Sequence, residues 1–306
     1  MTIMKGIILI CIFLLIPFTA RAGITFTDGV WEETLSDCTS TFTARTSGQS
    51  LPCGSGTQVN RAEETPRQQI LEAANNPSGG GGYGFTHPNC DGKNQPRGMG
   101  DWLIDWSGSY SEMWIRFYMK YPSGFTWGPF TGDKLLYFQH SDPAWTFQYH
   151  EGGQLKALYL QGNQAQSGTN VWNAVHGGST GDGEWHCYEI YFKINPGTNG
   201  DTVRIWVDEV LYVDEDNAGI DSEVPTAVVF AANQDSPRNG ECVNILWDDI
   251  KIVVDPDWRG FKTDVHENKM IGKIEAGNPT GNPTGNPTGN PTDRPHSPTG
   301  LKILGE

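Results

Sequence analysis

Alternating apolar and polar residues indicate that most of this chain folds into β-strands. From Glu112 to Tyr121 every second residue is apolar and suits a core, while the residues between them are aromatic or cationic. Trp185 to Asn195 alternates in the same way, with His186 on the face of Tyr188. Seven further segments are predicted strands: Lys134 to His140, Trp145 to His150, Leu155 to Gln161, Thr202 to Asp208, Val210 to Asp214, Thr226 to Ala232 and Val243 to Val254. Because clusters of Gly, Pro, Asn and Asp separate these segments, we predict an all-β sandwich of two antiparallel sheets.

One short helix is predicted ahead of these strands. Thr65 and Gln68 have the spacing of a capping box, Pro66 occupies the first helical position, and Asn75-Asn76-Pro77 ends the segment. A single short helix leaves the all-β prediction unchanged.

The N-terminus has the three parts of a secretory signal peptide in the expected order. Lys5 is followed by an apolar run from Ile7 to Phe18 and by the small-x-small sequence Ala20-Arg21-Ala22. The run is too short to span a bilayer as a helix, and no later segment is apolar enough to do so. We therefore predict a signal peptide over residues 1–22 and a protein that is secreted or periplasmic.

The C-terminal segment contains a tandem repeat. From Gly277 to Thr292 the sequence Gly-Asn-Pro-Thr occurs four times. Regular proline removes backbone donors and glycine adds chain entropy, so this repeat cannot build a packed core. We predict one folded domain over residues 23–258, followed by a linker and the repeat tail over residues 259–306.

The chain is acidic. Its formal net charge is −15, and loss of Lys5 and Arg21 with the signal peptide would take it to −17. Nucleic acids and anionic membranes need a basic surface, so we expect neither as a partner. An anionic polysaccharide stays compatible, because a local cationic patch can oppose the net charge.

The cysteines favour disulfides over a metal site. In an exported protein this is their usual role, and no Cys-x-x-Cys spacing occurs. The favoured pairs are Cys38 with Cys53 and Cys187 with Cys242, which leaves Cys90 unpaired. The sequence alone does not fix this connectivity.

Three motifs resemble the second half of concanavalin A-like, laminin G-like jelly rolls. They are Trp185-His186-Cys187-Tyr188-Glu189, Val203-Arg204-Ile205-Trp206-Val207-Asp208 and Leu246-Trp247-Asp248-Asp249-Ile250. Upstream, Arg116 to Trp127 and Gly132-Asp133-Lys134-Leu135 look like the corresponding region of jelly-roll polysaccharide lyases. The resemblance covers about residues 100 to 255 and implies a concanavalin A-like jelly roll. That fold carries glycan-binding modules, lyases, hydrolases and adhesive domains, so it does not select an activity.

The resemblance departs at one turn. Asp208-Glu209 stands where relatives usually carry Asp-Gly. Glu is disfavoured at positive φ, so we expect this turn to differ in type.

The resemblance also implies a concave sheet that binds an extended polysaccharide. The implied substrate-binding residues are Trp114, Arg116, Lys120, Lys134 and Gln139, and the implied groove also includes His140, Tyr149, His150 and Tyr159. Strand alternation allows only one residue of each adjacent pair to face the groove.

A lyase would use such a groove to remove the proton α to a uronate carboxylate and expel the glycosidic oxygen. Arg116 or Lys134 would neutralise the carboxylate. The candidate bases are His140 and His150, and the candidate acids are Tyr149 and Tyr159. Ordinary packing or solvation explains each of these residues as well. Three functions therefore stay open: polysaccharide recognition, which we favour; cleavage of a uronic acid polymer by β-elimination; and a structural or adhesive role.

A structural calcium ion is the one cofactor that the resemblance implies, and no organic cofactor is expected. Such jelly rolls often bind calcium where the first and last strands meet. Asp28 together with Asp248 or Asp249 would supply hard oxygen ligands there. A turn-capping role explains these aspartates equally well.

Overall fold

The computed structural model describes residues 23–33, 58–59, 71–75, 81–88, 97–98, 102–126, 133–139, 145–150, 153–159, 164–195, 200–219, 224–235 and 244–274. The predicted signal peptide, the repeat tail, His140 and four of the cysteines discussed above (Cys38, Cys53, Cys90 and Cys242) lie outside these residues.

The described strands are β1 (Val30–Glu33), β2 (Gln58–Val59), β3 (Leu71–Asn75), β4 (Gly81–Pro88), β5 (Arg97–Gly98), β6 (Trp102–Asp105), β7 (Glu112–Lys120), β8 (Asp133–Gln139), β9 (Trp145–His150), β10 (Gln154–Tyr159), β11 (Gln164–Gln166), β12 (Trp185–Lys193), β13 (Thr202–Val207), β14 (Val210–Asp216), β15 (Ala227–Asp235), β16 (Asn244–Val253), β17 (Lys262–Thr263) and β18 (Lys269–Met270). One helix, α1, spans Val171–His176.

Two large antiparallel sheets form the fold. Sheet I has the order β14-β13-β12-β7-β16-β4-β3, with β1 also paired to β16. Sheet II has the order β11-β10-β9-β8-β15-β6-β2, with β5 also paired to β15. A small third sheet joins β17 and β18. The predicted all-β sandwich of two antiparallel sheets is confirmed. In the described part of the chain, no helix is long and apolar enough to cross a membrane.

An aromatic core lies between the two sheets. Phe117 of β7 stacks on Tyr188 of β12 and Trp247 of β16, with ring centroids 5.6 Å and 5.3 Å apart. From sheet II, Phe147 and Phe230 meet Phe117 edge to face. Each such pair adds about 0.5–1.5 kcal/mol beyond area burial. The faces of β7 and β12 that the alternation assigned to the core are therefore the core faces.

The predicted helix is wrong in its last five residues. Leu71–Asn75 forms β3, which pairs along its length with β4, while residues 65–70 lie outside the described part. Pairing with a neighbouring strand overrides the local capping signal here. The observed helix α1 instead begins after Asn170, whose side chain accepts the backbone N–H of Asn173 at 2.8 Å, and ends at Gly177 with φ 69°.

The turn between β13 and β14 keeps the two-residue form that the sequence departure had put in doubt. Asp208 and Glu209 both adopt positive φ, at 53° and 67°, and Val207 pairs with Val210 across the turn. These are the dihedral signs of a type I′ hairpin. Glu209 thus occupies a position that favours glycine, and the expectation of a different turn type is wrong.

Residues 255–274, which we call the C-terminal strap, lie against the outer face of sheet I. Met270 and Ile271 pack in one buried cluster with Trp114, Tyr191 and Trp206 of that sheet. The Trp114 indole donates to the carbonyl of Lys269 at 3.0 Å, and the Trp206 indole donates to the carboxylate of Asp264 at 2.9 Å. The packed part of the chain therefore extends past the predicted boundary at residue 258, to Ile274.

Candidate functional site

The predicted groove residues do not lie on one surface. Trp114, Arg116 and Lys120 belong to β7 in sheet I, whereas the strands that carry the others, β8, β9 and β10, belong to sheet II. The two sheets face each other across the core, so one concave surface cannot gather both sets. The resemblance assigned the residues to one face because alternation along a strand does not tell which sheet the strand joins.

Two of the three predicted binding residues on β7, Trp114 and Arg116, are covered, and the strap contacts both; Lys120, at the end of the strand, is half-buried. Trp114 is 2% exposed and Arg116 is 4% exposed. The Arg116 guanidinium contacts the carbonyls of Gly272 and Asp249 at 3.4 Å and a Glu32 carboxylate oxygen at 3.5 Å. These side chains are therefore occupied by the protein itself rather than available to a sugar.

Tyr149 points into the core and cannot act as a surface acid. Its side chain is fully buried, and its hydroxyl lies 3.0 Å from that of Tyr188. Of the other predicted proton-transfer residues, His140 lies outside the described residues. The backbones of His150 and Tyr159 fall in β9 and β10, and their side chains are outside the description.

The three predicted calcium ligands do not form one site. Asp28 lies in the turn before β1, where Gly29 accepts the backbone N–H of Val254 at 2.8 Å. Asp248 and Asp249 lie beyond Ile250, which pairs with the other end of β1. At about 3.3 Å per residue, roughly 20 Å of strand separates Asp28 from these two aspartates.

Cys187 is a free, buried thiol, so the predicted Cys187–Cys242 disulfide is wrong. Cys187 lies on β12, and Cys242 lies outside the described residues. The predicted Cys38–Cys53 pair lies outside the described residues.

The outer face of sheet II carries a cross-strand row of polar side chains. Gln166, Lys156, Gln148 and Lys134 are register partners in succession on β11, β10, β9 and β8. Gln166 is exposed and Lys156 and Lys134 are half-buried, whereas Gln148 is only 6% exposed. Beside this row, Tyr137 of β8 is paired with Thr146 of β9, which is also buried. A β-bulge between Lys134 and Leu136 keeps Lys134 on the same face as Tyr137. Of the predicted binding residues, Lys134 and Gln139 belong to this surface, which we call the sheet II face.

A second group of chemistry-bearing side chains lies at one edge of the sandwich. Asp182 bridges two histidines: its Oδ1 is 3.1 Å from Nδ1 of His176, and its Oδ2 is 2.9 Å from Nε2 of His186. The other ring nitrogen of His186, Nδ1, is 2.6 Å from Oδ2 of Asp208. We call these four residues the His–Asp cluster. Within the described residues, His176, Asp182 and His186 form the one group of His, Cys, Asp or Glu close enough to share a metal ion.

The local sequence explains how these residues meet. His176 ends α1 and its ring packs on Trp172, one helical turn earlier, with centroids 4.0 Å apart. The following loop is tied to the segment after β7, because Gly181 and Phe125 are joined by a 2.8 Å backbone hydrogen bond. A Cβ at Gly181 would lie 2.6 Å from the carbonyl oxygen of Pro122. Glycine therefore allows the close approach that places Asp182 beside the histidines.

The charges in the cluster are strongly coupled. Burial would raise the pKa of Asp182, but hydrogen bonds from the Glu184 N–H and both histidines outweigh it and lower the pKa to about 2. Burial lowers the pKa of His176 below its ordinary value. Burial has the same effect on His186, yet the hydrogen bonds and charges of Asp208 and Asp182 dominate and raise its pKa. The pKa of His186 is therefore held above its ordinary value and that of His176 below it, so His186 is the histidine that takes up a proton first.

Sequence reasoning missed this cluster. His176 and Asp182 stand in a glycine-rich stretch with no recognised motif, and the three residues follow each other at intervals of six and four. One signal was present: His186 is the polar residue on the core-facing side of a strongly alternating strand. A histidine at such a position requires a polar partner in the fold.

Comparisons with known proteins place the chain in no family. No family model matches it, and no curated protein matches it in sequence. Similar solved structures include the binding domain of botulinum neurotoxin serotype D, at 11% identity and a TM-score of 0.44, with 73% of this chain and 48% of that chain covered. The serotype C1 binding domain is 12% identical with a TM-score of 0.39, and the coverage is 56% and 40%. The chain thus spans less than half the length of these structures. Similarity at this level carries no information on ligand or activity.

Proposed function

We propose that this domain binds an extended acidic polysaccharide on the sheet II face. The observation that carries the proposal is the row of Gln166, Lys156, Gln148 and Lys134, which are register partners on four adjacent strands. Three strand spacings make this row about 14 Å long, which suits a linear polymer better than a single sugar.

The accessible residues of the row, Gln166, Lys156 and Lys134, have the hydrogen-bonding groups that sugars need, and Gln148 lies buried between them. Amides donate and accept hydrogen bonds, while lysine ammonium groups attract carboxylates. Tyr137, half-buried beside the row, adds an aromatic surface with a polar tip. Lys134 and Lys156 supply local positive charge on a chain whose net charge is −15, and this favours an acidic polymer over a neutral one.

The outer face of sheet I is not proposed as the binding surface. Its aromatic and cationic side chains resemble a sugar-binding surface in sequence, but the C-terminal strap packs on them. The secretory signal that the sequence predicts is consistent with a polymer outside the cytoplasm. No contact among the described residues favours the lyase alternative, because the one catalytic candidate whose side chain is described, Tyr149, lies in the core.

Affinity electrophoresis tests the proposal. The purified chain is run in native gels containing alginate, hyaluronan or a neutral β-glucan. We expect an acidic polymer to retard the wild-type protein. Lys134→Ala and Lys156→Ala should each weaken binding by about tenfold, as expected for loss of one charged hydrogen bond.

Lys193→Ala is the matched control. This lysine lies on sheet I, is paired with Glu112 at 3.6 Å and has a side chain 46% exposed, so its loss changes the charge equally and leaves the row intact. Equal weakening by all three variants would contradict the proposal, and so would the absence of retardation by every polymer.

Ultraviolet absorbance of the polymer solution, read in parallel, would show unsaturated uronate if the domain cleaves by β-elimination. Retardation in the gel without that absorbance would identify a protein that binds the polymer but does not cleave it.

A further inference from the structure

We propose that His176, Asp182 and His186 bind a divalent transition-metal ion of the zinc class. Their ligand atoms all lie within 4.8 Å of one another. Two imidazoles and one carboxylate form a nitrogen–oxygen set that suits Zn²⁺ better than Ca²⁺, which prefers oxygen ligands alone.

The ligand atoms lie near the spacing of a tetrahedral site without yet matching it. Asp182 lies 3.1 Å from His176 and 2.9 Å from His186, measured between the nearest carboxylate oxygen and ring nitrogen. Zinc–ligand bonds of about 2.0–2.1 Å in a tetrahedron place neighbouring ligand atoms about 3.3 Å apart. Because Asp182 meets the two histidines through different oxygens and the three ligand atoms lie within 4.8 Å of one another, side-chain shifts of up to about 1.5 Å would gather them around one ion.

The hydrogen bonds of His186 require a cation between His186 and Asp182. Both nitrogens of the ring face carboxylate oxygens, at 2.6 Å from Asp208 and 2.9 Å from Asp182. A carboxylate can only accept, and a neutral imidazole has one N–H. The second ring nitrogen of His186 must therefore carry either a further proton or a metal ion. Nε2 of His186 is the atom that a metal would take, because Nδ1 is committed to Asp208.

Asp208 is placed as an outer partner of a metal-binding histidine. Metal-ligating histidines usually donate their second N–H to a carboxylate, which fixes the ring and raises its basicity. Asp208 is itself held by the backbone N–H of Cys187 at 3.1 Å and by the Lys273 ammonium at 2.7 Å. Asp208, in the β13–β14 turn, therefore fixes the orientation of the His186 ring before any ion binds.

Hydrogen bonding alone leaves the cluster incomplete at His176. This residue is 7% exposed. Its Nδ1 contacts Asp182, whereas its buried Nε2 has no hydrogen-bond partner. Buried polar atoms without a partner are rare in native folds and call for an explanation. Coordination of an ion by Nε2 would provide one, whereas coordination by Nδ1, the nitrogen near Asp182, would leave Nε2 unpaired.

The site would keep an open coordination position. The Asp182 side chain is 26% exposed, whereas the His176 side chain is fully buried. Three protein ligands with one side toward solvent leave a fourth position for water. A bound ion would join α1, the loop after it and β12, which are otherwise linked here by hydrogen bonds.

The test is a titration of the purified full chain with ZnCl₂ after removal of metals by a chelator. We expect isothermal calorimetry to show one equivalent bound, a higher melting temperature, and reversal of that increase by chelator. His176→Gln and His186→Gln should each abolish this binding. Asp208→Asn, which keeps all three ligands, should weaken it by about 10–100-fold.

His266→Gln is the control, because His266 is exposed on the β17–β18 turn, away from the cluster, and should bind zinc like the wild type. A wild-type protein that binds no zinc would overturn the proposal, and so would zinc binding unchanged by His186→Gln. A spectrum of the wild type with Co²⁺ needs no variant and guards against misfolding. Tetrahedral cobalt bands support the site, whereas the spectrum of hydrated Co²⁺ alone contradicts it.

Discussion

The buried carboxylate of Glu189 accepts a hydrogen bond from the backbone N–H of Ile271 at 2.6 Å, across 82 positions of sequence. Its second oxygen accepts the N–H of Gly272 at 2.9 Å. Glu189 belongs to the middle of sheet I and both donors belong to the C-terminal strap. One fully buried side chain thus fixes the strap to the sheet.

Removal of this carboxylate should loosen the strap. Glu189→Ala leaves two buried N–H groups without their acceptor, and each such loss costs about 1–3 kcal/mol. We expect the free energy of unfolding in urea to fall by about 2–4 kcal/mol. Glu215→Ala, at an exposed position on β14, is the control and should change it by less than about 0.5 kcal/mol. Similar losses in the two variants would contradict this role of Glu189.

The same carboxyl should make stability depend on pH. Burial raises the pKa of Glu189 from 4.5 to about 7, although the N–H groups of Gly272 and Ile271 and the charge of Arg116 oppose the shift. The folded state therefore holds this proton more tightly than the unfolded chain does. The resulting stabilisation is complete below pH 4.5 and is lost as pH rises through about 7.

Comparison of the wild type with Glu189→Gln isolates this contribution from other titrating groups. In urea unfolding at about pH 5 and about pH 8, the wild type should lose more stability on the change to high pH than the variant does. An equal pH response in both proteins would contradict the prediction.

Gly272 should not tolerate a side chain. Its φ is 75°, and an added Cβ would lie 2.6 Å from Cδ of Lys262 and 2.9 Å from a carboxylate oxygen of Glu209. Gly272→Ala should therefore destabilise the fold by about 1–2 kcal/mol from backbone strain alone. It should also increase hydrogen exchange at the strap amides. Gly178→Ala is the control, because a Cβ at Gly178 would meet no other atom within 4 Å. Full protection of the strap amides from hydrogen exchange in both variants would contradict the prediction.

The hydroxyl pair of Tyr149 and Tyr188 should be energetically coupled. The two oxygens are 3.0 Å apart in the core, and a buried hydrogen bond of this kind contributes about 0.5–1.5 kcal/mol. In a double-mutant cycle, Tyr149→Phe and Tyr188→Phe together should cost less than the sum of the single changes. Additive costs would mean that the two hydroxyls do not bind each other.

Cys187 should be an unreactive thiol in the native protein. Burial raises its pKa to about 12, and thiolate is the reactive form. An alkylating agent should therefore modify Cys187 after denaturation without reductant but not in the native protein, as read by peptide mass spectrometry. Failure of the denatured, unreduced protein to be alkylated at Cys187 would indicate a disulfide instead.

The strands of the core were predictable from sequence because burial on one face imposes alternation. The observed bounds of β9, Trp145–His150, coincide with the prediction, and β7 and β12 differ from it only at their C-terminal ends. Alternation separates the two faces of a strand but does not tell what covers the outer one. Trp114 and Arg116 were therefore assigned to a groove, whereas the strap, about 155 residues later, covers them.

The His–Asp cluster was harder to predict because its parts come from a helix end, a loop, a strand and a hairpin turn. Asp182 reaches the histidines only because Gly181 permits close packing against Pro122. Such contacts depend on the path of a loop, which periodicity does not describe.

The Asp208-Glu209 departure from Asp-Gly was visible in the sequence, but the reason for it was not. Glu209 accepts the backbone N–H of Lys273 at 2.8 Å, a contact that glycine could not make.

That turn has a mechanical consequence. Lys273 binds Glu209 through its backbone and Asp208 through its ammonium group, and Asp208 in turn binds His186. A pull on the chain beyond Ile274 would act first on the hydrogen bond from the Ile274 N–H to the Tyr118 hydroxyl and then on these carboxylates. Tension in the C-terminal segment would thus pull on Asp208 and Glu209, the two adjacent residues at positive φ. Through its hydrogen bond to Asp208, His186 would then be displaced.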